Sequence, residues 1–411
     1  MASETTPPPR SAPFPGSWAQ GDARDIAHVT VPHASSLPII ALAPAWDDAP
    51  PACRHLLREL ARTRRVLWIH TARRISGARG GARERTLASE ARRVIATFTS
   101  RPTNLENDLW VAALPSEVTR TAVTALRVRL GIKQFQLWAL DAEASEHVGA
   151  LGEAVSLCYC ADGHTEAPSV RALLRRVDLV LGANHAITEH ARQLNRASFV
   201  CLHGVDHGLF ARALDDATLV PPELAALPRP RIAVAGSNLD AEVIAEVART
   251  RPAWSLAVLA PSPARVASAP SSGMNPSPSG VGPRVRVIEV PRAEQLPAYF
   301  KGLDVGLIAE RVDDDAPFAS PLELRELLAA GVPVVATPVP DITRYAGMCS
   351  LARTPDEIVA AIESELARGR GGAGLAARGA RSAAIKNETW AARVAEVMRA
   401  VDEISQRKHP R

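Results

Sequence analysis

The stretch that decides the fold is Leu37-Pro-Ile-Ile-Ala-Leu-Ala, followed by a helix-like segment at 51–62 and then by Val66-Leu-Trp-Ile-His. The first and last pieces are apolar runs of strand length, and the middle piece carries leucines at helical spacing. A strand, a helix and a second strand within about thirty residues form a βαβ unit, which joins parallel strands. We therefore predict an α/β protein whose parallel sheet is covered by helices.

The same alternation continues outward from this unit in two series. Further strands are predicted at 109–114, 134–140, 154–160, 177–182 and 198–202, and then at 231–236, 254–259, 285–290, 305–308 and 332–336. We predict two doubly wound, Rossmann-like domains at 37–212 and 231–387, with a hinge at 213–230. Ligands of such sheets bind at the carboxyl ends of the strands, here in the cleft between the domains. Residues 1–36 are expected to be a disordered Pro-rich tail, and 261–283 a disordered insertion.

Composition and charge exclude several classes of protein. A formal net charge of +4 over 411 residues is too small for a dedicated nucleic-acid binder. No apolar run approaches the roughly 18 residues of a membrane-spanning helix, and residues 1–16 lack the pattern of a secretory signal. We therefore expect a cytoplasmic protein. Only four of the 48 basic residues are lysines, so the abundance of arginine can reflect genome composition alone.

Five cysteines in a chain of this size do not make a disulfide framework. Cys158 and Cys160 flank Tyr159, and two interpretations are open: they are small core residues or they are zinc ligands. The sequence has no HExxH motif and no second Cys/His pair at metal spacing, and we predict no metal site.

One helix carries more chemistry than any other segment of the sequence. In Ser320-Pro-Leu-Glu-Leu-Arg-Glu-Leu-Leu-Ala-Ala-Gly, Ser320 and Glu323 have the spacing of a capping box, and Gly331 ends the helix. The start of such a helix presents free backbone N–H groups and suits an anion. Glu326, one turn in, could bind a vicinal diol such as a ribose. The alternative is an ordinary capped helix before a buried strand.

Five stretches in register resemble the GT-B glycosyltransferases, and are most similar to glycosyltransferase family 4. The resemblance spans about residues 38 to 405 and implies a GT-B fold, whose last segment, 388–411, is a helix returning toward the first domain. The stretches are Val177-Asp-Leu-Val-Leu-Gly-Ala-Asn, Leu202-His-Gly-Val-Asp-His-Gly-Leu-Phe, Pro230-Arg-Ile-Ala-Val-Ala-Gly-Ser, Leu303-Asp-Val-Gly-Leu-Ile-Ala-Glu-Arg-Val, and the helix 320–331 with the strand after it.

The resemblance implies where a nucleotide-sugar donor would bind. Glu326 matches the second glutamate of the family's E-x7-E motif, which holds the ribose hydroxyls. The other implied donor residues are Gly236 and Ser237 in a phosphate-binding loop, Arg311 as the nearest cation for the diphosphate, and the turn of Ser320, Pro321 and Leu322. The donor would be UDP- or GDP-linked, and transfer would retain the anomeric configuration without a metal.

On the acceptor side the resemblance implies four residues. Asp162 and His164, in Cys160-Ala-Asp-Gly-His, match a loop that carries an Asp or His toward the reacting sugar, and Trp46 and Asp47 lie in the first βα loop. Each has an alternative: Asp162 as a helix cap, His164 as a solvated histidine, Trp46 as a core anchor. The acceptor would be a glycan, a lipid-linked sugar or a small molecule, in polysaccharide or glycoconjugate synthesis.

Three departures from the family pattern concern the donor site. The first glutamate of E-x7-E falls at Phe318, the loop after Gly236 contains no cation, and Glu323 stands where relatives often carry Lys. A competing hypothesis is therefore a catalytically silent GT-B subunit that binds a partner.

The segment from Arg73 to Arg93 is strongly basic. Together with Arg62, Arg64 and Arg65 it contains ten arginines, while Glu84 and Glu90 are its acids. Clustered cations gain about 1 kcal/mol each near anionic lipid. We predict peripheral contact with an anionic membrane or an anionic lipid-linked acceptor; the alternative is a solvated arginine-rich surface.

Overall fold

The computed structural model describes residues 34–71, 101–114, 120–161, 167–236, 238–260, 285–290, 292–314, 316–369 and 372–408. The predicted tail up to residue 33, the segment from Arg73 to Arg93 and the insertion at 261–283 lie outside the described residues. Within these ranges, none of the helices combines the length and the apolar composition needed to cross a bilayer.

The first half of the chain forms an eight-stranded sheet. Its strands are β1 (Ile39–Leu42), β2 (Val66–Thr71), β3 (Thr103–Glu106), β4 (Leu109–Leu114), β5 (Gln136–Ala139), β6 (Val155–Cys160), β7 (Leu179–Gly182) and β8 (Ser198–Val200). They lie in the order β3-β4-β2-β1-β5-β6-β7-β8, and every neighbouring pair is parallel except β3 and β4. The predicted parallel α/β architecture is confirmed.

Four helices pack with this sheet: α1 (Pro51–Leu60), α2 (Arg120–Arg129), α3 (Pro168–Arg176) and α4 (His185–Arg192). The apolar face of α1 is fully buried through Leu56, Leu57 and Leu60. Trp68 and Trp138, on neighbouring parts of the sheet, are also fully buried. Burying each large apolar side chain contributes about 1.5–3 kcal/mol, so this core stabilises the first domain.

The second half forms a six-stranded, fully parallel sheet over its described residues. Its strands are β9 (Arg231–Ala235), β10 (Ser255–Ala260), β11 (Val285–Glu289), β12 (Val305–Ile308), β13 (Val334–Ala336) and β14 (Ser350–Leu351), in the order β11-β10-β9-β12-β13-β14. The helices after β8 are α5 (His207–Phe210), α6 (Pro222–Ala225), α7 (Ala241–Thr250), α8 (Leu296–Lys301), α9 (Leu322–Ala329), α10 (Pro340–Thr343), α11 (Pro355–Arg368), α12 (Gly372–Ala384) and α13 (Trp390–Lys408).

Two segments cross between the halves side by side. The N–H of Val205 donates to the carbonyl of Glu388 at 2.8 Å. A Cβ on Gly204 would lie 2.6 Å from the backbone nitrogen of Trp390, so only glycine allows this close approach. Helix α13 then packs on α1, and buries Trp390, Val397 and Val401 in the core of the first domain.

One boundary differs from the sequence prediction. Residues Ala34–Ser36 are not tail but a 3-10 turn, tied down by a bond from the N–H of Ser35 to Asp402 at 2.9 Å. The segment predicted as a hinge, 213–230, contains the one-turn helix α6.

Candidate functional site

In the first sheet, strands β2 to β4 lie on one side of β1 and strands β5 to β8 lie on the other. The order of strands therefore reverses at β1, between β2 and β5. Such a topological switch point is where doubly wound sheets bind ligands. A cleft of about 690 Å³ opens there, lined by Leu42 and Thr71 at the strand ends and by the loop that follows β5, which contains Asp141 and His147. This cleft is a candidate ligand site within the described residues of the first domain.

Trp46 lies against the core rather than in this cleft. Its ring meets Trp68 edge to face at a centroid distance of 4.8 Å, and the guanidinium of Arg58 stands 5.3 Å from its centroid. These contacts agree with the interpretation of Trp46 as an anchor for α1. Asp47 is exposed. Neither residue is among the described residues that line the cleft, so their acceptor role stays a prediction.

Asp162 and His164 lie outside the described residues, and their catalytic role stays a prediction. The structure describes the strand before them. Cys158 and Cys160 of β6 are buried with their sulfur atoms 3.9 Å apart, as core residues. No group of three or more His, Cys, Asp or Glu side chains in the described ranges is arranged to hold a metal ion.

The second sheet has its switch point between β9 and β12. Gly236, directly after β9, has a φ of +139°, a conformation that side chains rarely adopt. A Cβ there would lie 2.8 Å from Oε1 of Glu310, which follows β12 and is 1% exposed. The other carboxylate oxygen of Glu310 accepts a bond from the N–H of Asn238 at 2.9 Å. Glu310 thus fixes the loop in which the phosphate-binding residues are predicted.

Arg311 extends this edge. Its N–H donates to the carbonyl of Asn238 at 2.8 Å, while its side chain is exposed and forms no ion pair with the described residues. The structure therefore leaves the Arg311 guanidinium available to an anion at the switch point. Ser237, the other predicted loop residue, lies outside the described residues.

Helix α9 packs over β12, since Leu327 fills the space that a Cβ on Gly306 would need. Glu326 is 9% exposed, and burial together with the neighbouring Glu323 raises the pKa of its carboxyl to about 8. Burial also raises the pKa of Glu323, and Glu310 raises it further, although the side chain accepts a bond from its own N–H. The start of α9 therefore already holds a carboxylate.

Ser320 does not cap this helix, and the predicted capping box is wrong. The helix begins at Leu322 with Pro321 at the N-cap, and no side chain caps it. The Ser320 hydroxyl donates to Oδ2 of Asp341 at 2.7 Å instead. Because its proton points to Asp341, its oxygen can accept the Nδ1–H of His203, 3.5 Å away. Ser320 thus joins the two domains through a polar chain.

Arg325 is fully buried at the centre of this chain. Its Nη2 donates to Oδ2 of Asp341 at 3.2 Å, its Nε lies 3.7 Å from Glu388, and its guanidinium stacks on Tyr345 at 5.1 Å. Burial raises the pKa of Asp341, but Arg325 and the bond from Ser320 outweigh it and hold that pKa below its usual value. Asp341 is therefore an anion within the interface.

His203 completes the chain from the first domain. It is 4% exposed, and its Nε2 is buried with no hydrogen-bond partner among the described residues. Burial and the nearby Arg325 lower its pKa to about 3, so the ring is neutral at physiological pH. Its ring lies 6.2 Å from that of Trp390 and its carbonyl accepts a bond from Nε of Arg393 at 3.4 Å, so it supports the crossing segment.

The turn before α9 meets the first domain at two further points. Nδ2 of Asn184 donates to the carbonyls of Pro317 and Ala319 at 3.3 and 3.5 Å. The ring of Phe318 packs edge to face on His190, with centroids 6.5 Å apart. Residue 318, the position of the missing first glutamate, therefore faces an apolar contact between domains.

The sequence analysis missed two groups with clear structural roles. Glu310 lies in the stretch Leu303 to Val312, but no role was predicted for it. The signal that could have identified it is an acidic residue just after a buried strand. Asp341 and Arg325 became partners only through the fold, since a buried pair 16 positions apart has no local spacing signal.

No family model matches the chain, and no curated protein matches it in sequence. Solved structures match it over nearly its whole length. A sucrose-phosphate synthase from Thermosynechococcus elongatus is 14% identical with a TM-score of 0.58, covering 90% of this chain and 99% of its own. An E. coli trehalose-6-phosphate structure bound with UDP-2-fluoro glucose is 13% identical with a TM-score of 0.56, covering 89% and 99%.

A third match is a trehalose-6-phosphate synthase studied with bisubstrate glycomimetics for glycosyl transfer with retention. It is 13% identical with a TM-score of 0.54, covering 89% of this chain and 99% of its own. At these identities the matches show the fold, which is GT-B. They do not support the narrower assignment to family 4.

Proposed function

We propose that this protein is a glycosyltransferase that takes a sugar from a nucleotide-sugar donor bound at the switch point of the second sheet. The observation that carries the proposal is the place of Glu326, buried on α9 and electrostatically coupled to Glu323, which is in turn coupled to Glu310 after β12. The carboxyl oxygens of Glu326, whose pKa burial and Glu323 raise to about 8, can form hydrogen bonds with both hydroxyls of a ribose. The GT-B fold supports this reading, because its similar structures include glycosyl-transferring enzymes.

Each described donor residue has a distinct task in this proposal. Arg311 would meet the diphosphate as it gains charge on departure of the sugar, and Gly236 keeps the loop backbone near it. Electrostatic stabilisation of this kind, together with the positioning of both substrates, is the main catalytic contribution expected of such a site. Retention of configuration is supported by the synthase studied for transfer with retention.

The donor base and the acceptor are proposed more broadly. UDP is supported by the E. coli structure bound with UDP-2-fluoro glucose, and GDP remains the second candidate. The acceptor would occupy the cleft of about 690 Å³ in the first domain, where Asp141 and Glu143 offer oxygens to sugar hydroxyls. A glycan, a lipid-linked sugar and a small molecule all present such hydroxyls. Membership of family 4 stays a prediction from the motifs.

A specific observation favours the second candidate, a silent GT-B subunit. Three acidic side chains stand close together at the donor edge: Glu310 raises the pKa of Glu323, and Glu323 raises the pKa of Glu326. Each charge-assisted bond to a diphosphate is worth about 1.5–3 kcal/mol, and carboxylates in place of cations remove such bonds. A protein with this edge could bind a partner or a glycan without turnover.

A donor screen separates the two candidates. Purified full-length protein is incubated with UDP- and GDP-linked sugars and a panel of glycan, lipid-linked and monosaccharide acceptors, and the released nucleoside diphosphate and the product are measured. The transferase predicts product with at least one donor, reduced by Arg311→Gln and unchanged by Arg249→Gln, an exposed arginine of α7 that pairs with Glu246. No product in any combination, together with no binding of any nucleotide at about millimolar concentration, favours the silent subunit.

Contact with an anionic membrane through Arg73 to Arg93 is a separate proposal. It predicts co-sedimentation with phosphatidylglycerol vesicles at low salt that is lost at about 0.5 M NaCl, because screening then acts within a few ångström. Equal binding to neutral vesicles would contradict it.

A further inference from the structure

A second cavity opens at the opposite edge of the second sheet from Gly236 and Glu310. Its volume is about 350 Å³, and it is lined where strands β9, β12 and β13 begin, by Pro230, Asp304 and Pro333. Helices α11 and α12 close its other side. It is therefore a different site from the proposed donor cleft.

The cavity carries an excess of positive charge. Arg229, Arg368, Arg378 and Arg381 line it, against Asp304 and Glu365 as the carboxylates among its described residues. Four guanidiniums face two carboxylates in a volume that holds one small molecule. Such an excess attracts an anion.

Both carboxylates are already engaged. Asp304 accepts bonds from Arg229 and from the N–H of Arg231, the latter at 2.7 Å. Glu365, which is 5% exposed, accepts from Arg368 at 2.9 Å and Arg381 at 3.2 Å.

Arg378 is the arginine whose charge these carboxylates leave unmatched. Its Nη2 donates to the carbonyl of Phe300 at 3.3 Å, and no carboxylate of the described residues lies within ion-pair distance of it. Burial lowers its pKa, and so do Arg381 and Arg229, against an opposing effect of Asp304. A dianion in the cavity would relieve this crowding of like charges.

The position of Arg378 is fixed by packing. Its backbone carbonyl lies where a Cβ on Gly331 would be only 2.6 Å away, so α12 is held tightly against the end of α9. A guanidinium on a rigid helix loses less freedom on binding than one on a loop, which favours binding.

We propose that this cavity is a binding site for a phosphate monoester, of the size of a phosphorylated monosaccharide. The planar fork of arginine matches phosphate oxygens in bidentate geometry, and the site offers several such forks. Its volume of about 350 Å³ lies at the lower end of the range for small-molecule sites and suits an occupant of this size. The proposal does not depend on catalysis in the cleft.

The test is calorimetric titration of the full-length protein with inorganic phosphate and with glucose 6-phosphate, and with glucose as the uncharged control. We expect both phosphates to bind and glucose not to compete with them. Arg378→Gln should weaken glucose 6-phosphate binding roughly 10- to 100-fold, the loss of one charge-assisted contact. Arg249→Gln, the matched exposed arginine, should leave binding unchanged.

Arg229→Gln gives a second variant at the rim of the cavity, and its thermal unfolding, like that of Arg378→Gln, is measured to confirm folding. We expect Arg229→Gln also to weaken the binding of glucose 6-phosphate. Binding of glucose 6-phosphate to the wild-type protein should persist in excess UDP. Absence of binding of both phosphates up to about 10 mM, wild-type affinity in both variants, or displacement by UDP would overturn the proposal.

Discussion

The hydroxyl of Ser320 donates to Asp341 Oδ2 at 2.7 Å and so connects the turn before α9 to a carboxylate 21 positions away. This bond replaces the local cap that the spacing of Ser320 and Glu323 predicts. A helix start at Pro321 needs no side-chain cap when the turn is held from both sides, here by Asp341 and by the first domain. The bond therefore belongs to the junction between domains.

We expect Ser320→Ala to lower the free energy of unfolding by about 1–2 kcal/mol, because a buried acceptor on Asp341 loses one donor but keeps Arg325. Urea denaturation measures the change. Ser364→Ala is the control, since Ser364 accepts a bond from Arg368 at an exposed position and should change stability by less than about 0.5 kcal/mol. Equal effects of the two substitutions would contradict the buried bond.

Arg325→Met should be far more damaging. It leaves the buried Asp341 with the bond from Ser320 and the longer pair to the partly exposed Arg344 at 3.6 Å, and breaking a buried pair from one side costs about 3–5 kcal/mol. Adding Asp341→Asn should recover part of the loss, because the buried charge is then gone. A double-mutant cycle by denaturation measures this coupling, and strictly additive losses would show that the two side chains do not interact.

Gly236→Ala should destabilise the loop at the donor edge. A φ of +139° costs a side chain about 1–3 kcal/mol, and the new Cβ would also press on the Glu310 carboxylate. Gly347→Ala, at a position where a Cβ meets nothing within 4 Å, is the control. Equal changes in melting temperature for Gly236→Ala and Gly347→Ala would argue against the close contact of Gly236 and Glu310.

Glu326 should make stability fall as pH rises. The usual pKa of a glutamate carboxyl is 4.5, and in the folded chain the pKa of Glu326 is about 8. Between these two pH values the folded state keeps a proton that the unfolded state has lost. The free energy of unfolding then decreases with pH by up to about 1.4 kcal/mol per unit for one fully linked proton.

Glu326→Gln should flatten this dependence, so that the variant gains stability relative to wild type as pH approaches 8. Denaturation at several pH values tests it, with Glu242→Gln, an exposed glutamate of α7, as the variant that keeps the wild-type slope. Identical slopes in wild type and Glu326→Gln would show that the carboxyl ionises normally.

The strands of both sheets are predictable because their signal is local. Buried parallel strands are continuous apolar runs between turn residues, as in Ile39–Leu42 or Val305–Ile308. Strand β3 was missed because Thr103–Glu106 is polar and largely exposed at the antiparallel edge, where pairing with β4 and not burial defines it. Gly374, in the first turn of α12, is required for a tertiary reason that no local pattern shows, because a Cβ there would clash with the backbone of Gly369.

The only site residues whose position could be predicted from the sequence are those that follow a predicted strand. Gly236 and Arg311 follow β9 and β12, and the order of the strands brings them to one edge. The side-chain partners were not predictable in this way. The Ser320 hydroxyl has two candidate partners: it can accept from the backbone N–H of Glu323 locally, or donate to Asp341 through the fold. Only the packing of α10 beside the turn decides between them.

The most direct test of the central claim is calorimetric titration with UDP and with GDP of wild type, Glu326→Gln and the Glu242→Gln control. The account predicts that one nucleotide binds wild type and the control alike, and binds Glu326→Gln more weakly by about 1–3 kcal/mol with little change in melting temperature. No binding of either nucleotide at about millimolar concentration, or wild-type affinity in Glu326→Gln, would contradict a nucleotide site at this edge.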